Sequence, residues 1–209
     1  NHNLQDRENR ETRTHNAVKG TLLILLPLIF FIGTICIGRY GISAGDVFKS
    51  FWTALTGIDT GVDQKTYTVV VGIRLQRAVQ GLLTGACLAA SGACFQSLFR
   101  NPLVSSGMLG VSSGAGFGAA LSILLFNNML MTSLFSFSFG VMAVILAYFT
   151  GKISGGTPAI TLVLGGTIIQ SIFSALLSLL KYVADPYSQL PAITFWLMGS
   201  LASTRSRAA

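Results

Sequence analysis

Residues Arg74–Ala115 read RLQRAVQGLLTGACLAASGACFQSLFRNPLVSSGMLGVSSGA, and their pattern decides the fold. Arg74 and Arg77 form a basic knot ahead of an uncharged run, Ala78–Phe99. At 1.5 Å per residue that run is long enough to cross a hydrocarbon layer of about 30 Å. The polar turn Arg100-Asn101-Pro102-Leu103 breaks it, and a Gly/Ser-rich apolar run opens at Leu109-Gly110. Two apolar runs joined by a short polar turn describe a membrane hairpin. The rest of the chain adds spans on either side.

The bulk composition agrees. Of 209 residues, 51% are hydrophobic and 10% charged, against about 25% charged in an average soluble domain. So few charges cannot clothe a soluble surface. The fold class is therefore all-α integral membrane, a polytopic helical bundle, and the lipid bilayer is its first partner. The 23 glycines fit, because glycine is more frequent in transmembrane than in soluble helices. The net charge of +7 is carried by residues that flank apolar runs, which reads as membrane anchoring and not as nucleic-acid binding. Cys36, Cys87 and Cys94 all lie inside apolar runs. Cys87 and Cys94 are two helical turns apart, about 10 Å of rise, too far to bridge.

Working outward, residues 1–20 are polar and mixed in charge, so a mobile N-terminal tail is expected. A membrane domain occupies 21–209. Its expected spans are 21–38, 78–99, 108–126, 129–149 and 160–180. Pro27 sits inside the first. Between the first two spans, Ser43-Ala44-Gly45-Asp46 reads as a capping box. The residues Val47, Phe48, Phe51, Trp52 and Leu55 follow on one helical face, which suits either the membrane interface or packing on other helices. Residues Tyr67–Val71 are β-branched from Thr68 on and of unassigned form. In the second span Gly81, Gly85 and Ala89 are spaced to let helix backbones approach, and Gln96 is expected to act as interhelical glue. In the third, Gly110, Gly114 and Gly118 recur every fourth residue, so a helix buried among helices is expected. Asn127-Asn128 is the next turn and Gly151–Pro158 the one after. The fifth span carries Thr167, Gln170, Ser171, Ser174 and Ser178 on one stripe. Such groups against lipid cost free energy unless bonded internally, so the stripe faces a wet pathway or bonds a neighbouring helix. Residues 192–201 are too few to cross and predict a short re-entrant or interfacial helix.

Several chemistries are excluded by the residues themselves. No Gly-x4-Gly-Lys-Ser/Thr loop is present for ATP, no His/Cys spacing for a metal, and both histidines lie in the polar tail. No acidic residue lies in an expected span, which counts against a proton relay. No catalytic residue is expected, and the protein is not expected to be an enzyme. Charge alone does not orient the chain, since lysines and arginines fall almost evenly on the two sides.

The motifs together resemble a family. Arg74-Leu75-Gln76-Arg77, Gly85-Ala86, Gly92, Gln96, Arg100-Asn101-Pro102-Leu103 and Leu109–Ala115 resemble the membrane permease subunits of bacterial ABC importers for iron-siderophores, haem and cobalamin. Leu162-Val163-Leu164-Gly165-Gly166 and Trp196–Leu201 resemble two further family motifs in the right order. The family has proline between the two arginines where this chain has Gln76, so a looser turn is expected before the second span. Such permeases have about ten spans. The resemblance implies that this chain is the N-terminal half of one, apparently incomplete, with Arg205–Ala209 fitting no family pattern.

The resemblance implies a multi-pass protein of the bacterial cytoplasmic membrane. It implies no cofactor on this chain, a separate ATPase subunit that consumes ATP, an extracytoplasmic substrate-binding protein, and a second permease copy or paralogue. It places the N-terminus and the turns at 100–103 and 151–158 in the cytoplasm, and residues 182–201 outside, near the docking surface for the binding protein. Thr157, Thr167, Gln170, Ser171 and Ser174 are the expected pathway and gate residues. Arg74, Arg77, Gln96, Arg100, Asn101, Pro102, Gly110 and Gly114 are the expected motif and packing residues. The expected function is ferric-siderophore import. The alternatives are a truncated non-transporting scaffold and a secondary transporter.

Overall fold

A computed structural model describes the backbone of residues 2–153 and 158–201, and the side chains of residues 19–152 and 160–201. Every regular element among them is helical. The chain divides into two compact units, residues 1–84 with 201–209, and residues 85–200.

The first unit opens with α1, His2–Cys36. The expected mobile tail is instead the start of this helix. An apolar segment that nucleates a helix extends it at little cost per residue, and no proline or glycine interrupts residues 2–19. The helix α2, Ala44–Thr56, starts at the expected Ser43 cap. Asp46 donates its backbone N–H to Ser43 Oγ at 3.2 Å, and Ser43 Oγ donates to the Asp46 carboxylate at 2.9 Å. The acid thus closes the box on the serine hydroxyl and not on its backbone. Gly57, at φ +70°, ends α2 with its N–H on the Thr53 carbonyl.

A single continuous helix then runs from Gln64 to Phe99, made of α3 (Gln64–Tyr67), a π-helical stretch (Thr68–Leu75) and α4 (Gln76–Phe99). The expected turn at Arg74–Arg77 is absent, and the second span starts well before Ala78. Gln76 is why a helix can pass here, since it keeps the backbone N–H that a proline would lack. The core of the unit is Ile35, Val47 and Val70, with Phe31, Ile42, Phe51, Val71 and Leu75 packed around them. Burial of Val70 outweighs the strand preference of the run Val69–Val71.

In the second unit α5 (Val111–Leu125), α6 (Met129–Ile153) and α7 (Pro158–Val183) pack on one another. The third expected span, 108–126, is corrected. Its α-helix covers only Val111–Leu125, about 22 Å of rise, short of the hydrocarbon thickness. A 3₁₀ turn, Ser106–Leu109, and Gly110 at φ +75° precede it. Non-helical backbone at membrane depth is tolerated where protein buries it. Val104, Leu109 and Gly110 are buried here. Among the described residues four helices are long and apolar enough to cross, with apolar windows at Lys19–Cys36, Gln64–Phe99, Met129–Lys152 and Ile160–Val183.

Backbone touches backbone where these helices cross. A methyl on Gly114 would sit 2.6 Å from the Phe139 carbonyl oxygen and 2.7 Å from Ala143 Cβ. One on Gly165 would sit 2.6 Å from the Ala147 carbonyl oxygen. Phe117, Phe139 and Phe173 fill the space beside Ala143, Ala147 and Ile169. Gly151 belongs to α6, not to a turn, and packs on Thr161 of α7. The Asn127-Asn128 turn is as expected, with Asn128 Oδ1 accepting from the Leu130 N–H at 2.9 Å.

The short terminal helix is α8, Gln189–Met198, rather than 192–201. Pro191 fits its first turn, where a backbone N–H has no helical partner anyway, and Gly199 at φ +73° stops it. Ile193 is buried against Ala120, Ile123 and Ala184.

Candidate functional site

The polar stripe of α7 is the candidate site. The buried residues of α7 among those described are Thr161, Gly165, Gly166, Ile169 and Phe173; Gly166 meets the 3₁₀ turn at Met108 and Leu109, and the others face α5 and α6. At 100° per residue, Thr167, Ser171, Ser174 and Ser178 fall on the opposite side and Gln170 on its edge, next to Gly166, and all are exposed. Thr167 Oγ1 donates to the Leu164 carbonyl at 2.8 Å, Ser171 Oγ to Thr167 at 2.9 Å, and Ser178 Oγ to Ser174 at 2.9 Å. These hydroxyl protons are held by the preceding turn of the same helix and not by a neighbouring one. That leaves oxygen lone pairs facing outward. Ile168, Ile172 and Leu179, all about half exposed, flank the stripe. The result is a narrow neutral rail set in an apolar surface. It carries no charge. Thr157 lies outside the described residues.

The motif residues gather at separate places, each with a local structural job. Arg74 projects from the π-helical stretch onto the end of α1. Its Nη1 donates to the carbonyls of Ile35 at 3.0 Å and Cys36 at 3.2 Å, and its Nη2 to that of Tyr40. Terminal helix carbonyls lack intrahelical partners and carry the negative end of the dipole, so a guanidinium there satisfies both. Gly38 makes room for it, since a Cβ at 38 would lie 2.5 Å from Arg74 Nη2. Nothing in the sequence spacing pointed to that pairing across the chain. Arg77 is exposed one turn on.

Gln96 is not interhelical glue here. Its Nε2 donates to the Pro102 carbonyl at 3.3 Å, bracing the turn that follows its own helix. Asn101 Oδ1 accepts from the Leu103 N–H at 2.9 Å, and Arg100 takes φ +48° to start the turn. The exposed side chains of Arg100 and Pro102 lie at its surface. Gly110 meets α7, where a Cβ would be 3.1 Å from the Gln170 backbone nitrogen. This ties the broken start of α5 to the helix that carries the stripe. Gly114 lies one turn further, against α6. Gly151, Gly165 and Gly166 were missed as crossing-point residues. The signal was present in the Gly165-Gly166 pair, since adjacent glycines within an apolar helix are costly without a packing reason.

Beyond the stripe, the α7–α8 corner holds a structured carboxylate. Asp185 accepts from the Ser188 hydroxyl and, at 2.8 Å, from the Ser188 N–H. The Ser188 hydroxyl bond is the main cause that holds its pKa below the ordinary value; desolvation opposes this, and the Ser188 and Tyr187 N–H groups assist.

Comparison with known proteins is decisive at the level of family. The model of the FecCD transport family matches residues 24–209. The chain belongs to the FecCD transport family. It is 38% identical over 186 residues to the molybdate import system permease protein MolB of Haemophilus influenzae, covering 88% of this chain and 53% of that protein. It is 33% identical over 189 residues to the ferric enterobactin transport system permease protein FepD of Escherichia coli K12, covering 88% of this chain and 53% of the relative. A solved inward-facing structure of a metal-chelate type ABC transporter superposes with a TM-score of 0.72 at 34% identity, over 88% of this chain and 53% of the other. The chain thus spans about half the length of the relatives it matches. As a FecCD member with four apolar helices of crossing length among its described residues, it is a multi-pass membrane protein of a transport family, not of an enzyme family.

Proposed function

We propose that this chain serves as membrane-spanning permease of an ABC importer that moves a ferric siderophore across the bacterial cytoplasmic membrane. An ATPase subunit drives it, an extracytoplasmic binding protein delivers the chelate, and a second permease copy or paralogue completes the pathway. The observation that carries this reading is the exposed stripe Thr167, Ser171, Ser174 on the side of α7 away from its core, with the exposed Gln170 at its edge. A carboxamide such as that of Gln170 is costly against hydrocarbon, so its face belongs to a protein-lined or wet path. A chelate presents mostly carbonyl and hydroxyl groups, which neutral side chains can contact and release. The metal ion travels as cargo. Thr157 would stand near the inner gate.

Molybdate is a second reading, favoured by the 38% identity to a molybdate permease. Uptake assays separate the two. A strain lacking the locus would be given labelled ferric siderophores, haem, cobalamin and molybdate. Loss of one ferric chelate is the expected result, with uptake in the parent abolished by ATP depletion and not by collapse of the proton gradient. Gln170→Leu in the intact locus should lower that uptake about tenfold, the effect of roughly 1.4 kcal/mol. Loss of molybdate uptake alone would establish the second reading, and loss of none would refute transport by this locus.

A further inference from the structure

We infer that α2 is an interfacial helix whose outer face is seated in the headgroup–acyl boundary of the membrane, making the lipid surface a direct partner of this loop. The helix has three sides at 100° per residue. Val47, Ser50 and Phe51 turn inward, with Val47 and Phe51 packed in the core of the first unit. Phe48, Trp52 and Leu55 form a second side and are 69%, 51% and 82% exposed. The rings of Phe48 and Trp52 stack with centroids 6.4 Å apart, giving one continuous apolar plate. Asp46, Lys49, Thr53 and Thr56 make a third, polar side. A helix with separate protein-facing, apolar and polar sides suits a position lying in the plane of an interface.

Depth decides the occupant. The inward side of α2 packs on Phe31, Ile35 and Cys36, in the last turns of α1, and on Val70 and Val71, early in the helix that starts at Gln64. These are the ends of two spanning segments on the same side of the membrane. The apolar window of α1 runs Lys19–Cys36, about 27 Å of rise, so its last turn lies at the edge of the hydrocarbon. The plate is therefore held at the level where tryptophan and tyrosine are enriched. Tyr40, 53% exposed, stands at the same level beside the end of α1. Ile29, Phe30 and Ile32 of α1 are exposed as well. The charges of this loop balance, with Arg39, Lys49 and Lys65 against Asp46, Asp59 and Asp63. Apolar insertion, not attraction to anionic lipid, is therefore its driving force.

The test places the full chain in phosphatidylcholine vesicles. The chain has two tryptophans, so Trp196→Phe leaves Trp52 as the reporter. Trp52 should lie about 5–10 Å below the headgroup level and be quenched about twofold more by lipids brominated near the headgroup than near the chain end. Replacing a third of the lipid with an anionic one, or adding salt, should leave the quenching unchanged. Phe48→Trp in the Trp52→Phe, Trp196→Phe background should report the same depth, and Lys49→Trp should report water through iodide quenching. Strong iodide quenching of Trp52 without lipid quenching would overturn the inference in favour of a water-facing surface. Shielding from both quenchers would overturn it in favour of a protein partner. Neither readout depends on transport, so failure here leaves the proposed function standing.

Discussion

The helix Gln64–Phe99 and the α5–α6–α7 cluster carry the same spacing of small residues and use it differently. Gly114 and Gly118 of α5 lie directly on the backbone of α6 at Phe139 and Phe135. In the other helix Gly85 and Gly92 have nothing within 4 Å, and no residue of α4 is buried. Spacing that permits close approach is therefore a capacity, and among the described residues it is exercised within the α5–α6–α7 cluster and not at Gly85 or Gly92. The means of attachment differ as well. In the second unit carbonyls approach glycines and aromatic rings fill the gaps. In the first unit a long side chain, Arg74, reaches from one helix to the end of another.

The largest effect should separate the two small-residue series. Gly114→Leu forces an isobutyl group into the Phe139 carbonyl and Ala143, and overpacking of that kind costs about 3 kcal/mol or more when backbone must move. Gly85→Leu meets open space in this chain and should stay within about 0.5 kcal/mol. Unfolding midpoints in mixed detergent micelles would measure both. Equal losses would mean that Gly85 is covered after all, and the contrast would collapse.

A smaller effect probes the attachment at the end of α1. Arg74→Gln removes charge-assisted hydrogen bonds to three carbonyls, each class of bond being worth about 1.5–3 kcal/mol. The native Cys36 reports it, since its own carbonyl is one of the acceptors. In a chain with Cys87→Ser and Cys94→Ser, maleimide labelling of Cys36 should quicken roughly thirtyfold, the equivalent of about 2 kcal/mol of easier local opening. Gly38→Ala should give a weaker increase, because its methyl displaces the guanidinium without removing it. An unchanged rate in Arg74→Gln would show that the clamp is incidental to the packing of Ile35 on Val70.

What could be read without coordinates follows from which signals are local. The apolar lengths, the Ser43 cap, the Asn127-Asn128 turn and the Gly114–Gly118 repeat are each written within a few residues. Three features are not. The stretch Thr68–Leu75 is helical because Val70 is taken into a core with Val47 and Ile35, partners more than twenty residues away. The break before α5 depends on Gly110 at φ +75° against α7, while the apolar composition runs through it unchanged. Gln96 bonds its own turn, and a lone glutamine near a span end carries no mark of which carbonyl it will meet. The stripe on α7 was legible as a stripe, because helical offsets are local. Its exposure was not, because that depends on which faces α5 and α6 cover.

The smallest effect lies at the α7–α8 corner, where a soluble-type turn contrasts with both membrane regions. Asp185 has a pKa below its ordinary value of 3.8, chiefly through the Ser188 hydroxyl. A carboxylate whose folded value is depressed contributes stability above its unfolded value, and that contribution is lost as pH falls through the folded value. The corner should therefore be indifferent to pH from neutrality down to about 4 and loosen only below. Hydrogen exchange of the Ser188 and Leu190 amides should quicken, relative to Ala120 in the core, as the pH is lowered from 4 toward the folded value. In Asp185→Asn that pH dependence should vanish, while the exchange of Ala120 stays unchanged. If the amides of the variant kept the same acid sensitivity, another group would be bracing α8, and Gln189, whose side chain reaches the Leu124 carbonyl at 3.4 Å, would be the next to replace.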